Sequence, residues 1–285
     1  VPELPEVETI RRQLGDALPG RWVTSTDTRW HKSLTGRGLA PDVIVGRPVT
    51  GVWRRGKVLG IDLDPGVSVL VHLRMTGQLL LGAGDGRPRT TSATRVVLDF
   101  DDGSRLLFND QRKFGRMLVL PSTDVADDPL LARMGPEPLD AAFDAEVLAA
   151  VLRRHPGLRL KSMLLDQSAV AGIGNIYADE ALWHAGLHPE RRCGAVRRPQ
   201  VEALHGGIVA VLSAGVARGG STLRDYVDAR GDRGSYLDVA AVYGRPGQPC
   251  RRCGTTIVKS TVAGRGTHVC PVCQVPPRRR RSRPA

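Results

Sequence analysis

Arg95-Val96-Val97-Leu98-Asp99-Phe100-Asp101-Asp102-Gly103-Ser104-Arg105-Leu106-Leu107-Phe108 is the stretch that decides the fold class. Two apolar runs flank Asp-Asp-Gly, a composition that favours a tight turn between antiparallel strands. Outward from it, residues 43–52, 58–63 and 67–73 have the same character, so the chain is β-rich from about Arg21 to Leu120. Closely spaced strands without intervening helices bury their apolar faces by packing sheet on sheet, and the expectation is a β-sandwich. Ahead of the strands, Leu4, Val7, Ile10, Leu14 and Leu18 recur at three and four, one face of an amphipathic helix that begins at the terminus. After Pro121 the spacing turns helical, at about 143–153, 160–166, 175–185, 200–217 and 223–229, with a loop at 231–236. The class is therefore α+β.

A chain of 285 residues exceeds one average domain. No run approaches the roughly 18 apolar residues of a membrane span, and the basic-then-apolar layout of a signal peptide is missing at the first residues. The expectation is a cytoplasmic protein with no membrane partner, a monomer by default. Lys and Arg number 41 against 29 Asp and Glu, which suits a polyanionic partner. Ten of the basic residues and none of the acidic ones lie from Arg245 to Ala285, so the remainder carries 31 basic against 29 acidic residues. Part of the positive end is Arg278 to Arg281 with Arg283 among prolines, read as a disordered tail that attracts phosphate or as a solvated charge run.

Five cysteines in a cytosolic chain point to metal or free thiols. Cys193 reads as an incidental thiol. The other four form Cys250-x2-Cys253-x16-Cys270-x2-Cys273, the spacing of a tetrahedral zinc site with one ion per chain. Four thiolates leave no open position, so the zinc is structural. It would hold a hairpin at 254–269 that presents Lys259, Arg265 and His268, although ribbons of this kind also serve protein contacts.

The terminus reads Val1-Pro2-Glu3-Leu4-Pro5-Glu6-Val7-Glu8-Thr9. Translation begins with Met, so Val1 is read as the literal translation of an alternative start codon. Its removal would leave Pro2 as a free secondary amine with a pKa of roughly 8, partly unprotonated at neutral pH. Such an amine condenses with a carbonyl-like carbon to an iminium ion, an electron sink suited to lyase chemistry, with Glu3 beside it as general acid and base. Proline at a helix start and acids in its first turn are equally ordinary capping choices. On the terminus alone, capping is the simpler reading.

Pro2 to Thr9 resembles the amino terminus of the formamidopyrimidine-DNA glycosylases. The resemblance continues in order through Arg54-Arg55-Gly56-Lys57, His72-Leu73-Arg74-Met75-Thr76-Gly77, Asp110-Gln111-Arg112-Lys113-Phe114-Gly115 and Gly135-Pro136-Glu137-Pro138-Leu139. It then takes in Leu164-Leu165-Asp166-Gln167, Gly172-Ile173-Gly174-Asn175-Ile176-Tyr177-Ala178, Gly219-Gly220-Ser221-Thr222-Leu223, Val242-Tyr243-Gly244-Arg245 and the cysteine quartet.

The resemblance implies a catalytic β-sandwich domain at 2–134, a helix-two-turn-helix DNA-binding domain at 135–243, a zinc finger at 244–275 and a basic tail at 276–285. It implies a bifunctional glycosidase and lyase of base-excision repair, acting on double-stranded DNA with oxidised bases or abasic sites. Oxidised purines, 8-oxoguanine and formamidopyrimidines, would be removed, with strand cleavage by β,δ-elimination. Pro2 would attack C1′ and Glu3 would donate the proton. Lys57 would serve β-elimination, or be a solvated strand charge, and Arg265 would grip phosphate and serve δ-elimination. Met75, Arg112 and Phe114 would fill the gap left by the extruded nucleotide, although singly Met75 and Phe114 read as core. Asn175 and Lys161 match phosphate contacts, near a Gly172-Ile173-Gly174 turn at a helix start. Residues 219–236 would cover the lesion.

The pattern is not followed everywhere. Arg74 stands where glycine is common, Gln111 where proline is common and Lys113 where a second arginine is common, and 93–95 lacks a frequent DNA-contacting histidine. Two other functions remain open on sequence: an endonuclease VIII-like enzyme for oxidised pyrimidines, and a catalytically silent damage-binding protein should Val1 be retained.

Overall fold

The structure, a computed structural model, describes residues 2–277. Val1, and all of the basic tail except 276 and 277, lie outside the described residues. The fold forms two compact units: the chain up to Met134 together with Ala214–Leu237, and Gly135–Ser213 together with the chain from Asp238 onward.

In the first unit, α1 (Leu4–Ala17) opens on a reciprocal cap, the Glu3 side chain taking the Glu6 amide and the Glu6 side chain taking the Glu3 amide. Leu4, Val7, Ile10 and Leu14 are buried along one face, as their spacing requires. Nine strands follow: β1 (Val23–Thr28), β2 (Leu34–Gly36), β3 (Val49–Arg55), β4 (Val58–Leu63), β5 (Val67–His72), β6 (Gly77–Gly82), β7 (Thr94–Phe100), β8 (Arg105–Asp110) and β9 (Arg116–Pro121). They form two sheets, ordered β1-β7-β8-β6 and β2-β9-β5-β4-β3. All neighbours are antiparallel except β2 with β9. The expected hairpin is β7–β8, closed at Asp101-Asp102-Gly103.

The shared core takes Ile10 and Leu14 from α1, Ile61, Val69 and Val71 from one sheet, and Val96, Leu98, Leu106 and Phe108 from the other. β5 is apolar except for Ser68 and His72, and both of its faces are covered. Val67, Val69 and Val71 face the main core, while Leu70 joins Val58 and Leu120 in a second cluster with Trp53 and Met134 packed against it.

Two sequence expectations are corrected here. Residues 43–52 are not one strand: Pro41–Ile44 form a 3-10 turn and β3 begins at Val49. Pro41 and Pro48 lack amide donors for a ladder, and Gly46 takes φ 76°, which turns the chain. Residues 223–229 are not a helix, because their polar groups bond to α1 and across the loop. The Asp228 carboxylate accepts the amides of Arg230 and Asp232, closing a turn where a helix would have to open one.

In the second unit, α2 (Ala145–Arg154), α3 (Leu160–Leu165), α4 (Asn175–His184) and α5 (Arg198–Ala217) pack in sequence, and β10 (Val258–Val262) pairs with β11 (Arg265–Val269). Asp144 caps α2 by accepting the Val147 amide at 2.8 Å. Between α3 and α4, Gln167 braces two successive turns: its amide group donates to the Leu165 and Ile173 carbonyls, and its oxygen accepts the Gly172 amide. This is the helix-two-turn-helix element. α5 has the length and apolarity of a membrane span. It nonetheless carries Glu202 and His205, while Leu204, Ile208 and Leu212 are completely buried.

The division into units differs from the expected domains in two respects, the first being that the helical domain and the zinc finger fall in one unit. Residues 214–237 group with the sandwich because Gln13 of α1 bonds both Asp228 and the Ala229 amide.

Candidate functional site

Pro2 is buried immediately before α1, and Glu3, its neighbour, is 3 % exposed. The Glu3 amide donates to Glu6 Oε2 at 2.7 Å, while Glu6 Oε1 accepts the Ser221 amide at 2.6 Å and its hydroxyl at 2.7 Å. Chain positions 215 residues apart are thus joined on one carboxylate. Tyr226 adds to the junction, donating to the carbonyls of Glu6 and Gly219. Burial, with the negative charges of Glu6 and Asp228 nearby, pushes its phenol well above the usual range, so it remains a donor. Gly220 has φ 86°, and a Cβ there would stand 2.8 Å from Glu6 Cγ, so only glycine fits. The first residues of α1 are therefore held by the 219–236 loop, and two buried acids, Glu3 and Glu6, follow Pro2 in the chain.

Lys57 is half-buried in the turn between β3 and β4, after Gly56, rather than within a strand. It lies near His72, whose neighbour across the ladder is Val58. Burial, then the charges of Arg74 and Lys57, lower the His72 pKa to about 4, so the ring is neutral at pH 7 and its Nδ1 accepts the Arg74 amide.

Met75, Arg112 and Phe114 come together. Met75 is 46 % and Phe114 52 % exposed, which corrects the reading of these two as core when taken singly. Arg112 Nη1 lies 2.9 Å from Met75 Sδ, and its guanidinium is 4.8 Å from the Phe114 ring centroid. Lys113 sits over the Trp30 ring at 4.2 Å. Three side chains from two loops thus form one exposed projection of apolar surface with a cation between.

In the second unit the four cysteine sulfurs lie within 4.8 Å of one another. Sulfur separations of 3.9 Å for Cys250 and Cys273, 3.4 Å for Cys253 and Cys270, and 3.5 Å for Cys253 and Cys273 fit a tetrahedral ion. Ligands at about 2.3 Å would stand about 3.8 Å apart. Burial would raise the Cys250 thiol, but bonds from the Arg252 and Cys253 amides and the Trp183 indole lower it to about 6, while burial and the neighbouring sulfurs raise Cys270 and Cys273. The quartet is placed to hold one ion.

The hairpin it anchors carries Arg265, exposed at the start of β11. Just behind, the Gly266 carbonyl accepts from Lys161 Nζ at 2.9 Å and from Asn175 Nδ2 at 3.0 Å. Lys161 has no exposed surface. Its ammonium also bonds Asp179 Oδ1 at 2.7 Å and Thr267 Oγ1 at 2.8 Å. The expected phosphate contact by Lys161 is therefore corrected: its donors are directed at Asp179 of α4 and at the hairpin. Asn175 opens α4 as expected, with its Oδ1 buried and unbonded. Asp179 accepts the His268 amide as well, and buried Glu180 accepts the amides of Ala241, Val242 and Tyr243.

Sequence reasoning did not single out Ser221, Tyr226, Gln13, Asp110, Asp179 or Glu180. Ser221 and Asp110 lay inside quoted motifs. The others are ordinary polar residues whose partners are remote in sequence.

Three family profiles match: "Formamidopyrimidine-DNA glycosylase N-terminal domain" over residues 1–117, "Formamidopyrimidine-DNA glycosylase H2TH domain" over 134–227, and "Zinc finger found in FPG and IleRS" over 247–275. The chain is 43 % identical over 277 residues to a formamidopyrimidine-DNA glycosylase of Desulfitobacterium hafniense, covering 96 % of this chain and 100 % of that protein. It is 45 % identical over 281 residues to the one of Chloroflexus aggregans, covering 96 % and 99 %. Among solved structures, Lactococcus lactis Fpg in complex with abasic-site DNA superposes with a TM-score of 0.87 at 37 % identity, covering 96 % of this chain and all of that one. The MutM (Fpg) protein of Thermus thermophilus gives 0.85 at 40 %, covering 96 % and 98 %.

Proposed function

The chain belongs to the formamidopyrimidine-DNA glycosylase family, and from that premise we propose that its reaction runs through Pro2, with Glu3 as the proton donor. The protein is a DNA glycosylase for oxidised purines with the lyase activity typical of its family, and its substrate is DNA carrying such lesions or abasic sites. It is not a membrane protein; we place its work in the cytoplasm, as a monomer.

The Pro2 nitrogen, once terminal, attacks C1′ of the damaged nucleotide. The C1′–N bond breaks and the base leaves with a proton; the proline nitrogen gives up its own proton, and the C1′–O4′ bond then breaks with a proton from Glu3 to O4′, which opens the sugar and leaves an iminium ion. That ion acidifies the 2′ hydrogen. Loss of this proton expels the 3′ phosphate, and the following elimination expels the 5′ phosphate. Lys57, half-buried beside neutral His72, is the group we assign to the first elimination. Arg265 on the hairpin is assigned to the second. Met75, Arg112 and Phe114 fill the vacated place in the stack, and a base extruded from a duplex needs such a filling. Lys161 is assigned to positioning Arg265, and Asn175 to the phosphate at the start of α4. The four cysteines hold zinc, which keeps the hairpin folded.

The observation that supports this reading most is the start of α1, where buried Glu3 and Glu6 adjoin Pro2 and Glu6 is tied to Ser221. The test is borohydride trapping on DNA with 8-oxoguanine, together with mass spectrometry of the native terminus. A covalent adduct on a protein beginning at Pro2 is expected. A protein that retains Val1 has an amide at Pro2, should give no adduct, and would only bind damage.

A further inference from the structure

Asp110 ends β8, and its carboxylate has no exposed surface. Its Oδ1 accepts the Thr76 hydroxyl at 2.5 Å and the Arg112 amide at 3.3 Å, and its Oδ2 accepts the Gly115 amide at 2.6 Å. The Arg112 amide also reaches Thr76 Oγ1, at 3.2 Å. Thr76 follows Met75, whereas Arg112 and Gly115 bracket the turn that carries Phe114. One buried carboxylate therefore ties together two loops 34 residues apart in sequence.

The Asp110 backbone is itself held from behind. Arg95, 9 % exposed, donates Nε to the Asp110 carbonyl at 2.8 Å and Nη1 to the Ser92 carbonyl at 2.9 Å, and the Asp110 amide donates to the Ala93 carbonyl at 2.8 Å. The stretch 93–95, which departs from the family pattern, thus braces the end of β8. At Gly115 a Cβ would stand 2.5 Å from the Phe108 ring and 3.1 Å from Asp110 Oδ2, so the turn closes on the carboxylate only with glycine there. Lys113 adopts φ 61° within the same turn.

We propose that Asp110 is a positioning residue for nucleotide extrusion: by joining the Met75 and Arg112–Phe114 loops it presents their three side chains as one preformed wedge. This rests on the reading of those three as the gap fillers. Side chains on two independent loops would have to be ordered as they enter the stack, at an entropic cost in every encounter. A brace that orders them beforehand removes that cost from the extrusion step.

Asp110→Asn separates this role from general support. The amide keeps the size and one acceptor, but turns an NH2 group toward groups that are already donors. The readouts are single-turnover excision of 8-oxoguanine paired with cytosine, and strand cleavage at a preformed abasic site, where there is no base to unpair. Excision is expected to fall roughly ten- to a hundredfold, in line with loss of hydrogen bonds to a buried charge, while abasic cleavage falls less than about threefold. Thr76→Val should shift the ratio in the same direction, and Thr76→Ser, which keeps the hydroxyl, should restore it. If Asp110→Asn does not fold by thermal melt, the Thr76 pair decides. Equal losses on both substrates, or no loss on either, overturn the proposal. Met75→Ala separates it from its premise: if that variant changes the ratio and neither Asp110→Asn nor Thr76→Val does, the brace alone fails; if Met75→Ala leaves the ratio unchanged, the gap-filling reading fails and the proposal with it.

Discussion

At the start of α1 the Glu6 carboxylate is buried against the amides of Glu3 and Ser221 and a serine hydroxyl; at the foot of the zinc hairpin the Lys161 ammonium is buried against the Asp179 carboxylate. Both centres join segments remote in sequence, α1 to the 219–236 loop and α3 to β11. They differ in what holds the charge. Amide and hydroxyl dipoles stabilise an anion while permitting the proton movements that the role proposed for Glu3 needs. An opposite charge at 2.7 Å fixes geometry instead, and breaking it strands its partner in a dry interior. Under the proposed mechanism the first region serves proton traffic and the second serves aim.

The largest effect should come from the first centre. Glu3→Gln keeps an oxygen to accept the Glu6 amide, so α1 remains capped, but it removes the exchangeable proton. Excision of 8-oxoguanine is expected to fall roughly a thousandfold, within the usual range for a lost general acid, with the melting temperature little changed. Excision near the parent rate would remove Glu3 from the chemistry. Next in size is the zinc anchor. Cys253→Ser, or chelation, should release bound zinc and weaken duplex binding roughly ten- to a hundredfold through loss of the ordered hairpin. Zinc content by atomic absorption and a binding titration check both, and retention of affinity after complete zinc loss would show that the hairpin is not the grip.

Smaller again is Lys161→Met. With Asp179 left without its ammonium partner and beside only the His268 amide and ring, stability should fall by about 3 kcal/mol, and the 5′-phosphate elimination assigned to Arg265 should slow several-fold relative to the 3′ step. The double replacement of Lys161 by Met and Asp179 by Leu sharpens the contrast: stability should return, because no charge is stranded, while the slow second elimination should not. Denaturant melts and gel analysis of the cleaved ends separate the two. Recovery of both would make the pair a fold element without positioning value.

The elements that were legible in sequence are those specified by near neighbours. The α1 face, the β7–β8 hairpin, the cysteine knuckles and the helices from α2 to α5 follow from periodicity, turn chemistry or ligand spacing, all local. Residues 223–229 misled because their apolar spacing is helical, whereas Thr222, Tyr226 and Asp228 are drawn into bonds with α1 and with one another. Lys161 misled for the same reason. The family resemblance implied a phosphate contact there, and nothing near Lys161 in sequence announces that Asp179 and Gly266 will enclose it. Asp110 was quoted only as part of a motif, because its value lies in a threonine 34 positions away.

Glu8 brings the contrast within a single helix and carries the smallest predicted effect. Arg11, Arg12 and Arg54 stand at 2.7, 2.9 and 3.0 Å from its oxygens. Burial alone would raise its pKa, but the three arginines outweigh it and lower the value to about 2. A folded-state pKa below the ordinary 4.5 means that the unfolded chain binds the proton first as pH falls. The stabilisation is therefore fully present above about pH 4.5 and is lost toward pH 2. Glu8→Gln should cost about 1–2 kcal/mol at pH 7, allowing for partial solvent screening, and the deficit should shrink below pH 4.5. His72, with its pKa lowered to about 4, also favours unfolding in acid, but it does so from about pH 6.5 downward and equally in parent and variant, so it cancels in the difference. Excision at neutral pH should stay within about threefold of the parent, since a carboxylate locked by three cations is not one that moves protons. A deficit independent of pH from 7 to 3 would mean that charge does not hold Glu8, and the distinction between an acid kept for chemistry and an acid kept for structure would fail within α1 itself.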